Sequence, residues 1–385
     1  MFKFACSVII SLILLISFIF YGELSSTSTQ FTRHEAITKT LPVTHRIADI
    51  NNNKNKKIIF ILSIDGGGMM GLLPVKLLQY IESQAQQPIH DIFDLIVGTS
   101  SGAVTAGFTS LKNTDNQARF PITQILNMYR YHSKGLFESS IKHTILSLDG
   151  LLAPKYSTRK KYTLLDTYLS QITLQEAFVP IMIPAVDVEH MQAMFFKSWE
   201  HQHYFFMKDI LSGATNMPAL YAFTDIYSLD NTVQYTLIDG ATFMDSPTIP
   251  AWLAAKELYP NKHYIIVSLG AGSVANNHFI SIKPQMGILQ WNINLLKVIG
   301  FADIKSSDII MQSMVNLPGT NIINYYRFDT ILDMNTVSAF NTSSQNIETL
   351  ERYGQQMIEE NKNQLNELIQ KIIDNKAYSK NERLH

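Results

Sequence analysis

Two apolar segments near the start of the chain each run into a glycine-rich turn and then into a helix-like pattern. Segment 57–64 (KIIFILSI) is rich in β-branched residues, and DGGGMMG and a segment with helical spacing, 72–85, follow it. The second segment, 93–97 (FDLIV), leads through GTSSG into a second helix start at 103–111. Continuous apolar strands that alternate with helices are typical of buried parallel sheets. This order therefore predicts a βαβ unit within an α/β fold.

Later segments extend this pattern without an internal repeat or a clear domain boundary. Further strands are predicted at 180–188, 192–198, 235–239, 263–270 and 322–329. Residues 345–374 have the apolar spacing of an amphipathic helix or a pair of helices that pack on the same domain. We therefore expect one α/β domain, a three-layer α/β/α sandwich with a mainly parallel central sheet, over residues 57–372.

The amino-terminal segment differs in composition from the rest of the chain. Lys3 precedes an apolar run, 4–21, whose length lies between those of a signal-peptide core and a membrane-spanning helix. Residues 1–25 are therefore interpreted as a cleaved signal peptide or a retained anchor. Either implies export, to the periplasm or the medium, with anchoring by residues 4–21 as the alternative. Cys6, the sole cysteine of the chain, lies within this segment and is interpreted as an apolar leader residue.

Overall composition excludes some function classes. The polar segment 26–56 is predicted to be a linker, and 373–385 a polar tail. Apolar residues make up 46% of the 385 residues, enough for a sizeable core, and the net charge of -1 gives no electrostatic basis for nucleic-acid binding. No metal-ligand cluster or cofactor motif is visible in the sequence, so we expect neither a metal nor a cofactor. Arg159, Lys160 and Lys161 are expected to lie in a solvated loop, with contact to lipid headgroups as the alternative.

The segment Gly98-Thr99-Ser100-Ser101-Gly102 fits the pattern G-x-S-x-G between a strand and a helix. Such a turn exposes its central serine at a tight corner, where flanking side chains would clash with the neighbouring helix and strand. The helix N-terminus favours a developing negative charge on the hydroxyl. Ser100 is therefore a candidate nucleophile. Ser101, and a serine-rich helix cap without catalytic function, remain alternatives.

The first glycine-rich turn, Asp65 to Gly71, can supply backbone donors to a negative charge. Successive glycines at 66–68 expose backbone N–H groups next to a helix N-terminus, an arrangement that suits an anion or an oxyanion. Gly66, Gly68 and Gly71 also fit the dinucleotide pattern G-x-G-x-x-G. That pattern requires an acidic residue after the next strand, where this chain has GTSSG instead, so dinucleotide binding is disfavoured.

A third turn, Asp239-Gly240-Ala241, follows the strand predicted at 235–239. If this strand is parallel to the others, its carboxyl end lies at the same edge of the sheet as Ser100. Asp239 is then a candidate base that accepts the Ser100 proton, provided that burial raises its pKa from the usual value of about 4. A histidine-containing triad is the alternative, with His263 or His278 following in the order Ser, Asp, His.

These motifs, in this order, resemble the patatin-like phospholipase family. The resemblance extends over roughly residues 57–370. It includes the opening strand and loop (61–82), the serine turn (93–104) and a segment similar to the family's Ala-Thr-Ser-Ala-Ala-Pro (212–223). It also includes the Asp-Gly segment (235–258), a Ser-Leu-Gly strand end (263–272) and part of the tail (343–358).

The resemblance implies an exported serine acyl hydrolase that acts on phospholipids or related membrane lipids without a cofactor. It implies Ser100 as the nucleophile, Asp239 as the base, and the amides of Gly66, Gly67 and Gly68, with Ser101, as the oxyanion hole. Asp65, Gly71, Gly98, Gly102 and Gly240 are the supporting motif residues. Two rival functions remain: acyl transfer from the same acyl-enzyme to an alcohol, and lipid binding without catalysis.

One residue departs from the family pattern. The family usually has Arg or Lys just before the last glycine of the first loop, and this chain has Met70. Loss of this charge is expected to weaken the binding of an anionic headgroup or to alter how the loop is held, while the backbone donors remain.

Overall fold

The structure is a computed structural model that describes residues 58–382 except 138, 140–143, 145–146, 148–149, 151, 275–287 and 316. The predicted leader (1–25), the predicted linker (26–56) and His278 lie outside the described residues.

The strands are β1 (Ile58–Ile64), β2 (Leu95–Gly98), β3 (Ile181–Asp187), β4 (Gln192–Lys197), β5 (Thr224–Tyr227), β6 (Gln234–Asp239), β7 (His263–Leu269), β8 (Ser273–Val274), β9 (Ile322–Phe328) and β10 (Ile331–Leu332). The α-helices are α1 (Leu72–Ala85), α2 (Ile89–Ile92), α3 (Ser101–Thr109), α4 (Ile122–Asn127), α5 (Thr158–Leu169), α6 (Met207–Gly213), α7 (Thr248–Leu258), α8 (Ile288–Met314), α9 (Ser344–Glu360) and α10 (Lys362–Glu382). Short 3-10 turns cover Gly68–Gly71, Leu174–Glu176 and Gly240–Thr242.

The central sheet is mixed and mostly parallel. Its order is β5-β6-β3-β2-β1-β7-β9, with β4 also paired to β3, while β8 and β10 form a separate pair. Strands β3, β2, β1, β7 and β9 are parallel to one another. The strands β4, β5 and β6 run antiparallel to their neighbours. The prediction of a mainly parallel sheet is confirmed, and the antiparallel strands add to it at one side.

Side chains of the central strand alternate between two helical layers. On β1, Phe60 and Leu62 pack in a core with helices α1, α3, α6, α9 and α10, whereas Ile59 and Ile61 pack on the opposite face against α7 and α8. This period of two, with both faces apolar, explains the continuous hydrophobic run of β1. The result is the expected three-layer α/β/α arrangement.

All seven segments predicted as strands form strands. The predicted carboxyl-terminal helix is a pair, α9 and α10, divided at Asn361. Sequence patterns did not indicate strand β5 or the long helix α8, which lies over the functional site described below.

Candidate active site

The serine turn is a strained corner between β2 and α3. Ser100 has φ 54° and ψ -120°, a conformation that side chains rarely adopt. A Cβ on Gly98 would lie 2.1 Å from the Gly102 carbonyl oxygen, and one on Gly102 would lie 2.4 Å from the Ile64 carbonyl oxygen. Glycine is therefore required on both sides, because only then can α3 pack against the ends of β1 and β2.

Asp239 reaches Ser100 through the register of the sheet. Strand β6 runs antiparallel to β3, so the expectation that it would be parallel to the other strands is wrong. Asp239 nevertheless pairs with Ala185, which lies three residues beyond Met182, the partner of Val97. Ser100 likewise lies three residues beyond Val97. Because β2 ends at Gly98 and β3 continues to Asp187, the last residue of the antiparallel strand β6, Asp239, lies at the same height in the sheet as Ser100.

Ser100 and Asp239 form a direct hydrogen bond. Ser100 Oγ donates to Asp239 Oδ2 at 2.7 Å, and the Ala241 N–H donates to Asp239 Oδ1 at 2.9 Å. Asp239 is 1% exposed and Ser100 is 9% exposed. Burial raises the pKa of Asp239 to about 6, against the opposing effects of the Ala241 N–H, the Ser100 hydroxyl and the Lys161 charge. A carboxylate with this pKa is a stronger base than an exposed one and is still ionised at neutral pH.

Gly240 permits the close approach of this turn to β3. A Cβ at this position would lie 2.5 Å from the Pro184 carbonyl oxygen. The glycine after the aspartate therefore has a packing role, and the following turn places the Ala241 N–H on the carboxylate.

Lys161 is a buried cation that sequence patterns did not assign to the site. It lies on α5 and not in a solvated loop, and it is 8% exposed. Its Nζ donates to Thr215 Oγ1 at 2.8 Å and to Asn216 Oδ1 at 2.5 Å. Burial lowers the pKa of Lys161 to about 7, and the Asp239 charge opposes this effect. The helical spacing of Lys161 with the buried Leu165 is a signal that could have revealed its orientation.

Asn216 links this cation to the candidate base. The Asp239 N–H donates to the Asn216 carbonyl oxygen at 3.0 Å, while the Asn216 side chain accepts from Lys161. Lys161 thus acts on Asp239 in two ways: through its charge, and through Asn216, which accepts hydrogen bonds from both Lys161 and the Asp239 N–H.

The first glycine-rich turn supplies fewer free donors than expected. The Gly66 N–H donates to the Asp245 carbonyl oxygen at 3.1 Å, so its prediction as an oxyanion donor is wrong in this structure. Within the described residues, the N–H groups of Gly67, Gly68 and Ser101 have no acceptor. Gly68 has φ +57°, which a glycine adopts at little cost. These three amides are therefore the candidate donors to an oxyanion beside Ser100.

A buried ion pair holds the start of this turn. Asp65 is fully buried, and its Oδ2 lies 2.7 Å from Arg327 Nη2, which also bonds Asp329 at 2.9 Å. Burial raises the pKa of Asp65 to about 6, with Arg327 opposing that rise. At the other end of the turn, a Cβ on Gly71 would lie 2.4 Å from the Tyr129 hydroxyl oxygen. Both motif residues therefore position the loop rather than react.

A cavity of about 260 Å³ opens onto the serine and the aspartate. Its walls include Ser100, Asp239, the Gly66–Gly68 turn and Lys161, together with mostly apolar side chains, among them Phe137, Leu164, Leu220, Phe301 and Phe340. Met70 also lines this cavity. The position where the family usually has a basic residue thus adds to the apolar wall.

The histidine alternative receives no support from the described residues. His263 begins β7, where it pairs with Ile58 at the amino end of β1, whereas Ser100 follows the carboxyl end of β2. These strands are parallel, so His263 and Ser100 lie at opposite edges of the sheet. Within the described residues, no group of three or more His, Cys, Asp or Glu side chains could hold a metal ion. None of the helices in this part of the chain is both long and apolar enough to span a membrane.

Comparison with known proteins places the motifs in a family context. The model of the patatin-like phospholipase family matches residues 62–252, which contain both Ser100 and Asp239. Patatin-like protein 1 of Arabidopsis thaliana is 25% identical over 368 residues, covering 85% of this chain and 87% of the relative. Patatin group A-2 of Solanum tuberosum is 24% identical over 339 residues, covering 79% and 84% respectively.

Among solved structures, VipD from Legionella pneumophila aligns with a TM-score of 0.34 and 12% identity, covering 79% of this chain and 67% of that chain. The family match and these relatives agree with the resemblance seen in the motifs. The chain belongs to the patatin-like phospholipase family, a family of carboxylic ester hydrolases that act on lipids.

Proposed function

We propose that this protein hydrolyses acyl esters of membrane phospholipids through an acyl-enzyme on Ser100. The observation that carries the proposal is the 2.7 Å hydrogen bond from Ser100 Oγ to the buried carboxylate of Asp239. A serine hydroxyl is a weak nucleophile unless an adjacent base accepts its proton as the new bond forms. Asp239 is the titratable group in this position.

In the first step, Ser100 Oγ attacks the ester carbonyl carbon while its proton passes to Asp239 Oδ2. The tetrahedral oxyanion is stabilised by the free amides of Gly67, Gly68 and Ser101. When the intermediate collapses, the alcohol of the lipid leaves and takes the proton from Asp239. The acyl group then remains on Ser100.

In the second step, water replaces the alcohol. Asp239, ionised again, accepts a proton from a water molecule that attacks the acyl-enzyme. The same amides stabilise the second oxyanion, and collapse releases a fatty acid and restores the Ser100 hydroxyl with the proton from Asp239. The buried carboxylate thus serves as base and acid in turn.

The cavity supports a lipid as the acyl donor. Apolar side chains from several helices form most of its walls, and each methylene group transferred from water to such a site contributes about 0.8 kcal/mol. Lys161 and Lys297 are the lysines among the lining residues, and they fit a substrate with an anionic headgroup. The bilayer surface is the proposed partner. We also propose export of the protein, on the basis of the apolar run at 4–21 alone.

The test is the release of free fatty acid from mixed phospholipid vesicles by the full-length protein, beside Ser100→Ala and the matched variant Ser101→Ala. We expect Ser100→Ala to lose at least about 1000-fold in rate, as in other sites with a serine nucleophile. Ser101→Ala should retain activity, because its contribution is a backbone amide. Equal loss in both variants would contradict the assignment of Ser100.

Product analysis with a lysophospholipid present separates hydrolysis from acyl transfer. Fatty acid as the main product supports the proposal, whereas diacyl lipid as the main product supports transfer to an alcohol. Vesicle binding without either product, in wild type and Ser100→Ala alike, supports lipid binding without catalysis.

A further inference from the structure

Asp245 is a half-buried residue of the candidate site, with a buried carboxyl oxygen, that the reaction above does not use. It lines the same cavity as Ser100. A Cβ on Gly66 would lie 2.3 Å from Asp245 Oδ1 and 3.2 Å from Ser100 Cβ, and a Cβ on Gly300 would lie 3.0 Å from Asp245 Oδ2. The carboxyl group is therefore held between the glycine-rich turn and α8, on the side of Gly66 that faces Ser100.

The Asp245 backbone is well bonded, while one oxygen of its carboxyl group has no hydrogen-bond partner. Its carbonyl oxygen accepts from the Gly66 N–H, and its N–H donates to Asp303 Oδ2 at 2.8 Å. In contrast, Asp245 Oδ1 is buried and has no hydrogen-bond partner among the described residues. A buried polar atom without a partner is costly and calls for a functional explanation.

The surrounding charges oppose ionisation of this group. Burial, together with the charges of Asp65, Asp239 and Asp303, raises the pKa of Asp245 well above its usual value, against the weaker opposing effect of the Gly66 N–H. The Arg327 side chain is bonded to Asp65, Asp329 and Ser268.

The other cations near the site lie on two helices. Lys161 on α5 is bonded to Thr215 and Asn216, and Lys297 lines the cavity from α8. The arrangement therefore favours a neutral acid at position 245.

We propose that Asp245 functions as a protonated carboxylic acid beside the glycine-rich turn, where it donates a hydrogen bond to the oxyanion. The proposal rests on the proposed hydrolysis. A protonated carboxyl group is a donor, and the oxyanion would supply the acceptor that the buried group lacks in the free protein. Buried carboxylic acids can act in this way when an apolar site keeps them neutral. An ionised Asp245 would instead place a second negative charge next to the oxyanion.

The first test compares three variants of the full-length protein by kcat/KM on 4-nitrophenyl butyrate, with folding checked by thermal unfolding. Asp245→Asn keeps a neutral donor, and we expect it to lose less activity than Asp245→Leu, about tenfold at neutral pH. Asp245→Leu has no donor, and we expect a loss of about 100-fold. Asp239→Asn is the matched control, since this carboxyl acts ionised and its loss should cost at least about 1000-fold.

The pH dependence supplies a readout that a packing role would not change. If wild-type activity declines at alkaline pH because Asp245 ionises, Asp245→Asn should remain active there. If wild type and Asp245→Asn show the same alkaline decline, another group, such as Lys161, causes the decline, and the proposal is overturned. Equal activity of Asp245→Asn and Asp245→Leu, or a loss in Asp245→Asn as large as in Asp239→Asn, would also overturn it.

Infrared difference spectroscopy tests the protonation state of Asp245 without an activity assay. We expect the carbonyl band of a protonated carboxyl group at neutral pH in wild type, and its loss in Asp245→Asn. An ionised Asp245 at neutral pH would refute the proposal. Failure of the proposed hydrolysis itself is distinguishable, because wild type would then release no product in any of these assays.

Discussion

Replacement of Gly102 by alanine tests the geometry that holds Ser100 at the corner between β2 and α3. The new Cβ would lie 2.4 Å from the Ile64 carbonyl oxygen and 2.8 Å from the Asp65 carbonyl oxygen. Ordinary contact begins at 3.4 Å, so the two backbones must separate by about 1 Å. Strand β1 is fixed between β2 and β7, and we therefore expect the start of α3 to move.

The expected effect on stability is moderate, and the effect on catalysis is larger. Overpacking costs about 1–3 kcal/mol, and the greater helix propensity of alanine offsets up to about 1 kcal/mol of this. The free energy of unfolding should therefore fall by about 1–2 kcal/mol. A displacement of about 1 Å at reacting groups can reduce the rate about 100-fold. Both Ser100 and the Ser101 amide lie at the displaced end of the helix.

Gly107→Ala is the matched control on the same helix. Its Cβ would meet Leu211 Cδ1 at 3.1 Å and Met207 Sδ at 3.2 Å, and these side-chain ends can shift. Urea unfolding should therefore show a change within about 1 kcal/mol, and kcat/KM on a soluble ester should stay within about threefold of wild type. Equal loss of activity in the two variants, or full activity in Gly102→Ala, would refute this reasoning.

Three further predictions concern charge. Because Asp239 must be ionised to accept the serine proton, kcat/KM should fall by about tenfold per pH unit below the Asp239 pKa of about 6. A kcat/KM that does not change at acidic pH would contradict the role of Asp239 as base. Lys161→Met removes a cation that lowers the pKa of Asp239, so the acidic limb of the pH profile should move to higher pH. Lys161→Arg keeps the charge and should leave the profile near its wild-type position. An unmoved profile in Lys161→Met would contradict the effect of Lys161 on the pKa of Asp239. Arg327→Met leaves Asp65 buried without its partner and should reduce the free energy of unfolding by about 3–5 kcal/mol at neutral pH in urea titrations. The loss should shrink as pH falls through the pKa of Asp65, because the protonated acid needs no cation, and an equal loss at acidic and neutral pH would count against this account.

Local patterns were sufficient to find the candidate nucleophile and the candidate base. Ser100 and Asp239 each lie in a short motif with a neighbouring glycine that close backbone contacts require, so the signal itself is continuous in sequence. Seven strands were equally readable, because each contains a short run of apolar residues, whereas β5 was not indicated. The direction of β6 could not be predicted from the sequence, because it depends on the pairing of β6 with β3. Asp239 lies beside Ser100 only because β2 is short.

Residues that tune the site depend on tertiary contacts and gave weak sequence signals. Lys161 reads as part of a basic cluster, and only the packing of α5 shows that it is buried beside Asn216. Arg327 lies in an apolar strand far from Asp65 in sequence. The free or bonded state of the Gly66 amide depends on where the Asp245 carbonyl lies, which no local pattern indicates.

Covalent labelling of the full-length protein with a fluorophosphonate, followed by peptide mass spectrometry, tests most directly whether Ser100 is the activated nucleophile. The hydrogen bond to Asp239 predicts a single adduct on Ser100, retained in Ser101→Ala and absent from Ser100→Ala. An adduct on Ser101, or equal labelling of the Ser100→Ala variant, would contradict the account.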